Sequence, residues 1–145
     1  MTDKPLILLH ICCAPCSPHA LNILRQDYDV RAFFYNPNIH PREEYELREK
    51  EIRGFSESEG FPLEIGEYDD AAWHEAVRGL ESEPEGGARC DICFAMRMRR
   101  TALAARSCGA RFFTTTLTVS PHKNAAKIFA AGHAAAAGLP DVDFV

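Results

Sequence analysis

The stretch PLILLHICCAPCSP, residues 5–18, decides the fold class of this chain. Residues 5–11 form an apolar run bounded by proline and cysteine, which is typical of a buried parallel strand. Ser17 is a good N-cap and Pro18 suits the first position of a helix, so a short helix that continues over residues 20–26 should follow. A buried strand that leads directly into a helix indicates an α/β unit.

The rest of the chain repeats this alternation of strand and helix. Further strands are predicted at residues 30–35, 63–65, 111–115 and 142–145. Further helices are predicted from Pro41 to a stop at Gly60, over residues 71–80 and 90–107, and from Ser120–Pro121 to Gly138, with a loop over residues 81–89. The 145 residues suit one domain. We therefore expect a single α/β domain with a mainly parallel sheet covered by helices on both faces.

Charge and composition exclude several classes of protein. A net charge of −5 and a pI near 5.7 argue against a protein that coats nucleic acid by bulk electrostatics. A local basic patch is still expected where arginines crowd together, at Arg97, Arg99, Arg100, Arg106 and Arg111. No run has the apolar length of a membrane span or of a signal-peptide core, so we expect a cytoplasmic protein with no membrane partner.

Five of the six cysteines fall into two groups. Cys12, Cys13 and Cys16 stand where the first strand ends and the first helix begins, which is the edge where ligands collect in open α/β sheets. Cys90 and Cys93 enter a later helix, and their spacing turns both sulfurs to one side. Because reducing compartments keep thiols free, these groups predict metal or redox chemistry.

Spacing alone leaves three interpretations of these cysteines. Two cysteine pairs can hold a structural zinc ion, as in a zinc-stabilised RNA-binding module. Cys13 and Cys16 also copy the spacing of a thioredoxin-like dithiol, which would make the chain a thiol oxidoreductase. Five thiols exceed the four that zinc uses and suffice for an iron–sulfur cluster with further coordination nearby. Cys108 is expected to be a small buried filler.

Four longer blocks carry a resemblance to a known family. They are LLHICCAPC (residues 8–16), FFYNPNI (33–39), EPEGGARC (83–90) and FTTTLTVSPHKN (113–124). In this order they resemble the signature blocks of the QueH-type epoxyqueuosine reductases. The resemblance implies a fold of the nucleotide α-hydrolase (HUP) type. It also implies a two-electron reduction of the epoxide of epoxyqueuosine in tRNA, which gives queuosine.

The same resemblance implies a 4Fe-4S cluster with an adjacent iron at the cysteine-rich end of the sheet. The metal ligands would be Cys12, Cys13, Cys16, Cys90 and Cys93, of which the first three are also the expected catalytic residues. Members of the family continue to a Cys-Gly-Cys element that this sequence does not contain. Residues 1–145 are therefore expected to be an iron–sulfur catalytic domain without that segment.

Polar and aromatic residues near the expected ligand edge are candidates for substrate binding. The candidates are Tyr35, Asn36, Asn38, Ser120, Lys123 and Asn124. The two nearer asparagines can read a nucleoside through their amide groups or simply form an Asn-Pro turn. The tyrosine offers a stacking face for a base, although core packing explains it equally well. The last three residues stand at a helix start, where N–H groups and a cation favour phosphate.

Electrons and protons need separate sources. The sequence has no Gly-rich fingerprint for NAD or flavin, so an external donor such as a small redox protein is expected to supply the electrons. His10, His19 and His122 are candidates by position for the proton donor.

Overall fold

The computed structural model describes residues 4–12, 14–80, 82, 87–119 and 125–145, with the backbone alone for residues 16, 90, 118 and 119. The strands in these ranges are β1 (Leu6–His10), β2 (Asp29–Phe34), β3 (Leu63–Ile65), β4 (Phe112–Thr115) and β5 (Asp143–Phe144). The α-helices are α1 (Ser17–Leu24), α2 (Arg42–Glu59), α3 (Asp70–Ala76), α4 (Ala88–Cys108) and α5 (Ala125–Ala137). Short 3-10 turns at Ala14–Cys16 and Thr116–Val119 follow β1 and β4.

The five strands form one parallel sheet in the order β3-β2-β1-β4-β5. The central strand β1 pairs with β2 on one side and β4 on the other, so that Leu9 stands between Ala32 and Thr114. Parallel neighbours need crossover connections, which helices supply here. The predicted α/β class with a parallel sheet is confirmed.

Alternate residues of β1 supply two separate cores, because successive side chains of a strand point to opposite faces. Ile7 and Leu9 pack with residues of α1 and α2, including Leu21 and Ile52. Leu8 packs on the other face with residues of α4 and α5. Helices therefore cover both faces of the sheet, as the sequence predicts.

Helix ends follow the local signals of the sequence. Gly60 and Gly109 end α2 and α4 in the left-handed conformation, with φ of 71° and 81°. The side chain of Asp69 caps α3 by accepting a 3.0 Å hydrogen bond from the Ala72 N–H, so this helix begins at Asp70, one residue before the prediction. The predicted start of the last helix at Ser120–Pro121 lies outside the described residues.

Two further boundaries differ from the prediction. Helix α1 occupies Ser17–Leu24, with Ser17 itself buried in the first turn. Helix α4 begins at Ala88, so Cys90 lies inside its first turn instead of opening it. In the described part of the chain, no helix is long and apolar enough to cross a membrane.

Candidate functional site

The carboxyl ends of β1, β2 and β4 meet at one edge of the sheet, where side chains and backbone form a polar network. The Ile11 N–H donates to the Phe33 carbonyl (3.0 Å), and the Asn36 amide donates to the Ile11 carbonyl (3.0 Å). On the other side of β1, the Cys12 N–H donates to the Thr116 hydroxyl at 3.4 Å, and the Cys12 sulfur lies 3.7 Å from the same oxygen. Cys12 is thereby fixed between the ends of two neighbouring strands.

His10 is the last residue of β1 and is completely buried beneath this edge. Its Nε2 lies 2.9 Å from the Tyr35 carbonyl oxygen, which can only accept, so Nε2 carries the proton. Its Nδ1 then accepts from the Thr115 hydroxyl at 2.9 Å, while Thr115 accepts in turn from the Leu117 N–H at 3.1 Å. The imidazole links the end of β1 to both neighbouring strands.

The charge state of His10 follows from its surroundings. Burial, with a smaller effect of the nearby Arg97 guanidinium, lowers the pKa of His10 to about 3. Burial therefore favours the neutral imidazole, and a role of His10 as proton donor stays a prediction. His19 is an exposed residue of α1, and His122 lies outside the described residues.

Arg97 of α4 reaches this network from the face of the sheet that α4 covers. It is only 5% exposed, and its Nη1 lies 3.4 Å from the Oδ1 of Asn36, which is itself 1% exposed. The guanidinium also lies over the ring of Phe94, 5.8 Å from its centroid. Its Nε is buried and has no hydrogen-bond partner among the residues that the structure describes. The prediction that Arg97 belongs to an exposed basic patch is therefore wrong.

The structure describes the side chains of two of the five predicted metal ligands. Cys12 is half-buried, and Cys93 is 6% exposed and packs against Trp73 and Val77 beside α3. Cys13 lies outside the described residues, and Cys16 and Cys90 are described by their backbone alone. Among the described side chains, no group of three histidine, cysteine or acidic residues is close enough to hold a metal ion. The five-cysteine centre therefore stays a prediction.

The backbone nevertheless shows where one residue of each cysteine group lies. Residue 16 lies in the turn between β1 and α1, and residue 90 lies in the first turn of α4, which packs against β1. The carboxylate of Asp91 in that first turn lies 3.0 Å from the Lys127 Nζ of α5. This ion pair joins the start of α4 to α5.

The predicted substrate-binding residues occupy different surroundings. Tyr35 is 5% exposed and stacks on Phe33, with the Arg100 guanidinium 5.7 Å from the centroid of its ring. Both ends of the Asn36 amide are already hydrogen-bonded, as described above. The Oδ1 of Asn38 is buried and finds no hydrogen-bond partner within the described ranges. Ser120, Lys123 and Asn124 lie outside the described residues, and substrate binding by all six stays a prediction.

Two functional features of this edge are not among the predicted site residues. Thr115 and Thr116 anchor His10 and Cys12 through their hydroxyl groups. Arg97 faces inward because it stands three residues after Phe94 and four before the buried Thr101. That helical spacing was the available signal for its burial.

Comparison with known proteins decides the family. A family model described as epoxyqueuosine reductase QueH matches residues 7–145. The chain belongs to the QueH family. This family assignment agrees with the four sequence blocks described above, three of which begin within β1, β2 and β4.

Curated QueH relatives are similar over most of this chain. "Epoxyqueuosine reductase QueH" of Acinetobacter baylyi is 42% identical over 139 residues, which cover 95% of this chain and 64% of the relative. Its counterpart in Streptococcus pyogenes is 41% identical over 131 residues, which cover 86% and 51%. The counterpart in Thermotoga maritima is 37% identical over 121 residues, which cover 81% and 62%. The chain thus spans between about half and two thirds of the length of these QueH proteins.

A solved structure shares the fold. The crystal structure of a predicted subunit of tRNA methyltransferase from Methanocaldococcus jannaschii aligns with a TM-score of 0.58 and 13% sequence identity, over 96% of this chain and 66% of the other. At this identity the likeness shows the fold alone.

Proposed function

We propose that this QueH-family chain carries the catalytic domain of an epoxyqueuosine reductase that acts on tRNA in the cytoplasm. The reaction removes the epoxide oxygen of epoxyqueuosine, consumes two electrons and two protons, and yields the alkene of queuosine and one water molecule. The observation that carries the proposal is the family match over residues 7–145. An external donor, such as a small redox protein, provides the electrons.

The proposed cofactor is a 4Fe-4S cluster with an adjacent iron. The donor set fits such a group, because iron–sulfur clusters are held by soft thiolates and the chain places cysteines both after β1 and in the first turn of α4. Cys12, Cys13, Cys16, Cys90 and Cys93 would hold these metals. When bound, they supply single electrons and Lewis acidity to the reaction.

The described residues contribute rigidity and polarity around that centre. Thr116 holds the backbone and the sulfur of Cys12, so this ligand is oriented before any metal binds. Asn36 fixes the Ile11 carbonyl directly before Cys12. His10 joins the end of β1 to Tyr35 and Thr115 through its two ring nitrogens.

Residues at the same edge of the sheet would supply the contacts to the substrate. The partnerless Oδ1 of Asn38 is an acceptor for an N–H or O–H group of the modified nucleoside, since a buried acceptor is costly to leave unpaired. Tyr35 would act beside the exposed cation of Arg100, whose guanidinium lies 5.7 Å from the centroid of the Tyr35 ring and can meet a nucleotide at the surface. Ser120, Lys123 and Asn124 would contact phosphate.

Anaerobic purification tests the proposal directly. The protein should be brown, contain iron and acid-labile sulfide, and convert epoxyqueuosine to queuosine in tRNA with a chemical reductant, as measured by mass spectrometry of nucleoside digests. A colourless protein that contains zinc would favour the RNA-binding alternative. A colourless protein with a titratable Cys13–Cys16 dithiol would favour the thiol oxidoreductase. Iron-loaded protein that leaves the epoxide intact would refute the proposed reaction while keeping the cofactor.

A further inference from the structure

Arg97 is a buried cation that has no anionic partner in the described part of the chain. None of the described carboxylates forms an ion pair with it, and the ion pairs of α4 and its neighbours involve other residues. Among the described residues, its only side-chain hydrogen bond is the long contact of 3.4 Å with the neutral Asn36 amide, and its buried Nε has no partner there. Burial of an unpaired charge is costly, so a buried guanidinium ordinarily has an anion beside it.

The position of Arg97 indicates which anion that is. Cys93 precedes Arg97 by one helical turn, so both side chains leave the same face of α4. Asn36, which contacts Arg97, also binds the Ile11 carbonyl next to Cys12. Arg97 therefore lies behind the place where the two cysteine groups are expected to meet.

We propose that Arg97 is the counter-cation of the cysteine thiolate centre, an inference that rests on the cofactor of the proposed function. Thiolate ligands and bridging sulfides give an iron–sulfur cluster a net negative charge, which grows by one on reduction. A fixed cation beside it stabilises the reduced form more than the oxidised form and raises the reduction potential. Arg97 is thus a positioning and tuning residue, without contact to the epoxide.

A phosphate of tRNA is a less suitable partner. Arg97 is 5% exposed and lies beneath Asn36, whereas Arg99 and Arg100 of the same helix are exposed and can reach phosphate at the surface. Phosphate contacts of a modification enzyme are made at the solvent boundary, where counterions are released. Burial therefore favours a partner held inside the protein.

The test uses Arg97→Met, which keeps an unbranched apolar stem and removes the guanidinium with its charge, with Arg99→Met as the matched control on the exposed side of α4. The midpoint potential of anaerobically loaded protein is measured by redox titration with electron paramagnetic resonance. We expect a more negative potential for Arg97→Met and an unchanged potential for Arg99→Met. Iron affinity should fall about 10- to 100-fold, the range for loss of a group that supports a metal ligand.

Metal-free protein provides a second readout. Since no described carboxylate pairs with Arg97, metal-free Arg97→Met should be at least as resistant to urea as the unchanged protein. If that variant does not fold, Arg97→Lys decides, because it keeps the charge but not the planar contact with Asn36. A potential close to that of the unchanged protein would then support the counter-cation, and a shifted one would overturn it.

The outcomes separate this inference from the proposed function. Iron-loaded Arg97→Met with an unchanged potential would overturn the counter-cation alone. Unchanged potential with weaker binding to an anticodon stem-loop would show that the partner is phosphate. Absence of iron from the unchanged protein would overturn both the cofactor and this inference.

Discussion

Gly132 of α5 faces the ring of Phe144 in β5 so closely that a Cβ at residue 132 would overlap the ring. Both residues are buried. The close approach of α5 to the edge strand therefore depends on the absence of a side chain at this position.

Gly132→Ala should destabilise the protein although alanine is the better helix former. Overpacking a core costs about 1–3 kcal/mol, which outweighs a gain in helix propensity of up to about 1 kcal/mol. Urea unfolding followed by circular dichroism measures the difference. A variant as stable as the unchanged protein would contradict this contact.

Gly54→Ala is the matched comparison, because Gly54 lies on the exposed side of α2 and a Cβ there meets nothing within 4 Å. The substitution should raise the free energy of unfolding by roughly 0.5–1 kcal/mol, the intrinsic preference of helices for alanine. The two glycine variants should thus shift the urea midpoint in opposite directions.

Tyr45 should make the protein sensitive to alkaline pH. Burial, with a smaller effect of the nearby Glu49, raises the pKa of Tyr45 from 10.0 to about 12. Between these values the unfolded chain releases the phenolic proton and the folded chain keeps it. The stability present below pH 10 should therefore fall by about 1.4 kcal/mol per pH unit in that window.

Tyr45→Phe removes this titration and should flatten the loss of stability above pH 10. The measurement is the free energy of unfolding at several alkaline pH values for both proteins. Equal slopes in the two proteins would contradict the assignment to Tyr45.

Cys93→Ser should lower iron content while the fold is kept. A serine hydroxyl stays protonated at neutral pH and binds iron poorly. Iron analysis and circular dichroism of anaerobic protein measure the two effects. Cys108→Ser is the control, because the Cys108 thiol lies at the far end of α4 and donates to the Ala105 carbonyl at 3.4 Å. Equal iron loss in both variants would contradict a specific role for Cys93.

Binding to RNA should be modest and weaken with salt, because the net charge of −5 opposes it. Arg100→Met should weaken binding to an anticodon stem-loop and reduce the slope of log affinity against log salt by about one unit. Arg106→Met is the control, since Arg106 is exposed in the last turn of α4, away from the candidate site. A salt-independent association would count against phosphate contacts altogether.

The parts of the fold that depend on local sequence were predicted well. Strand β1 lies within the predicted residues 5–11, because its apolar run is bounded by a proline and by cysteines. The ends of α2 and α4 fall at Gly60 and Gly109 because these residues adopt positive φ. Predictions of this kind need only neighbours along the chain.

The site depends on contacts between distant residues, which the sequence indicates poorly. Arg97 was assigned to a basic patch because arginines are close in sequence, whereas helical spacing turns it toward the core. The partner of His10 on β4 is 105 residues away, so nothing local identified the buried pair. The strand ends were the correct place to look, but the hydrogen bonds that organise them arise only from the fold.

The hydrogen bonds that join His10 to the neighbouring strands also limit local motion at this edge of the sheet. A local fluctuation that separates the end of β1 from β2 or β4 must break a buried hydrogen bond of 2.9 Å that water cannot replace while the core is closed. The Leu117 amide is bonded to Thr115 of this assembly, and the Ile11 amide next to His10 is bonded to the Phe33 carbonyl of β2. Their hydrogen exchange should therefore require opening of the core itself, which makes this edge part of the slowest-exchanging unit of the protein.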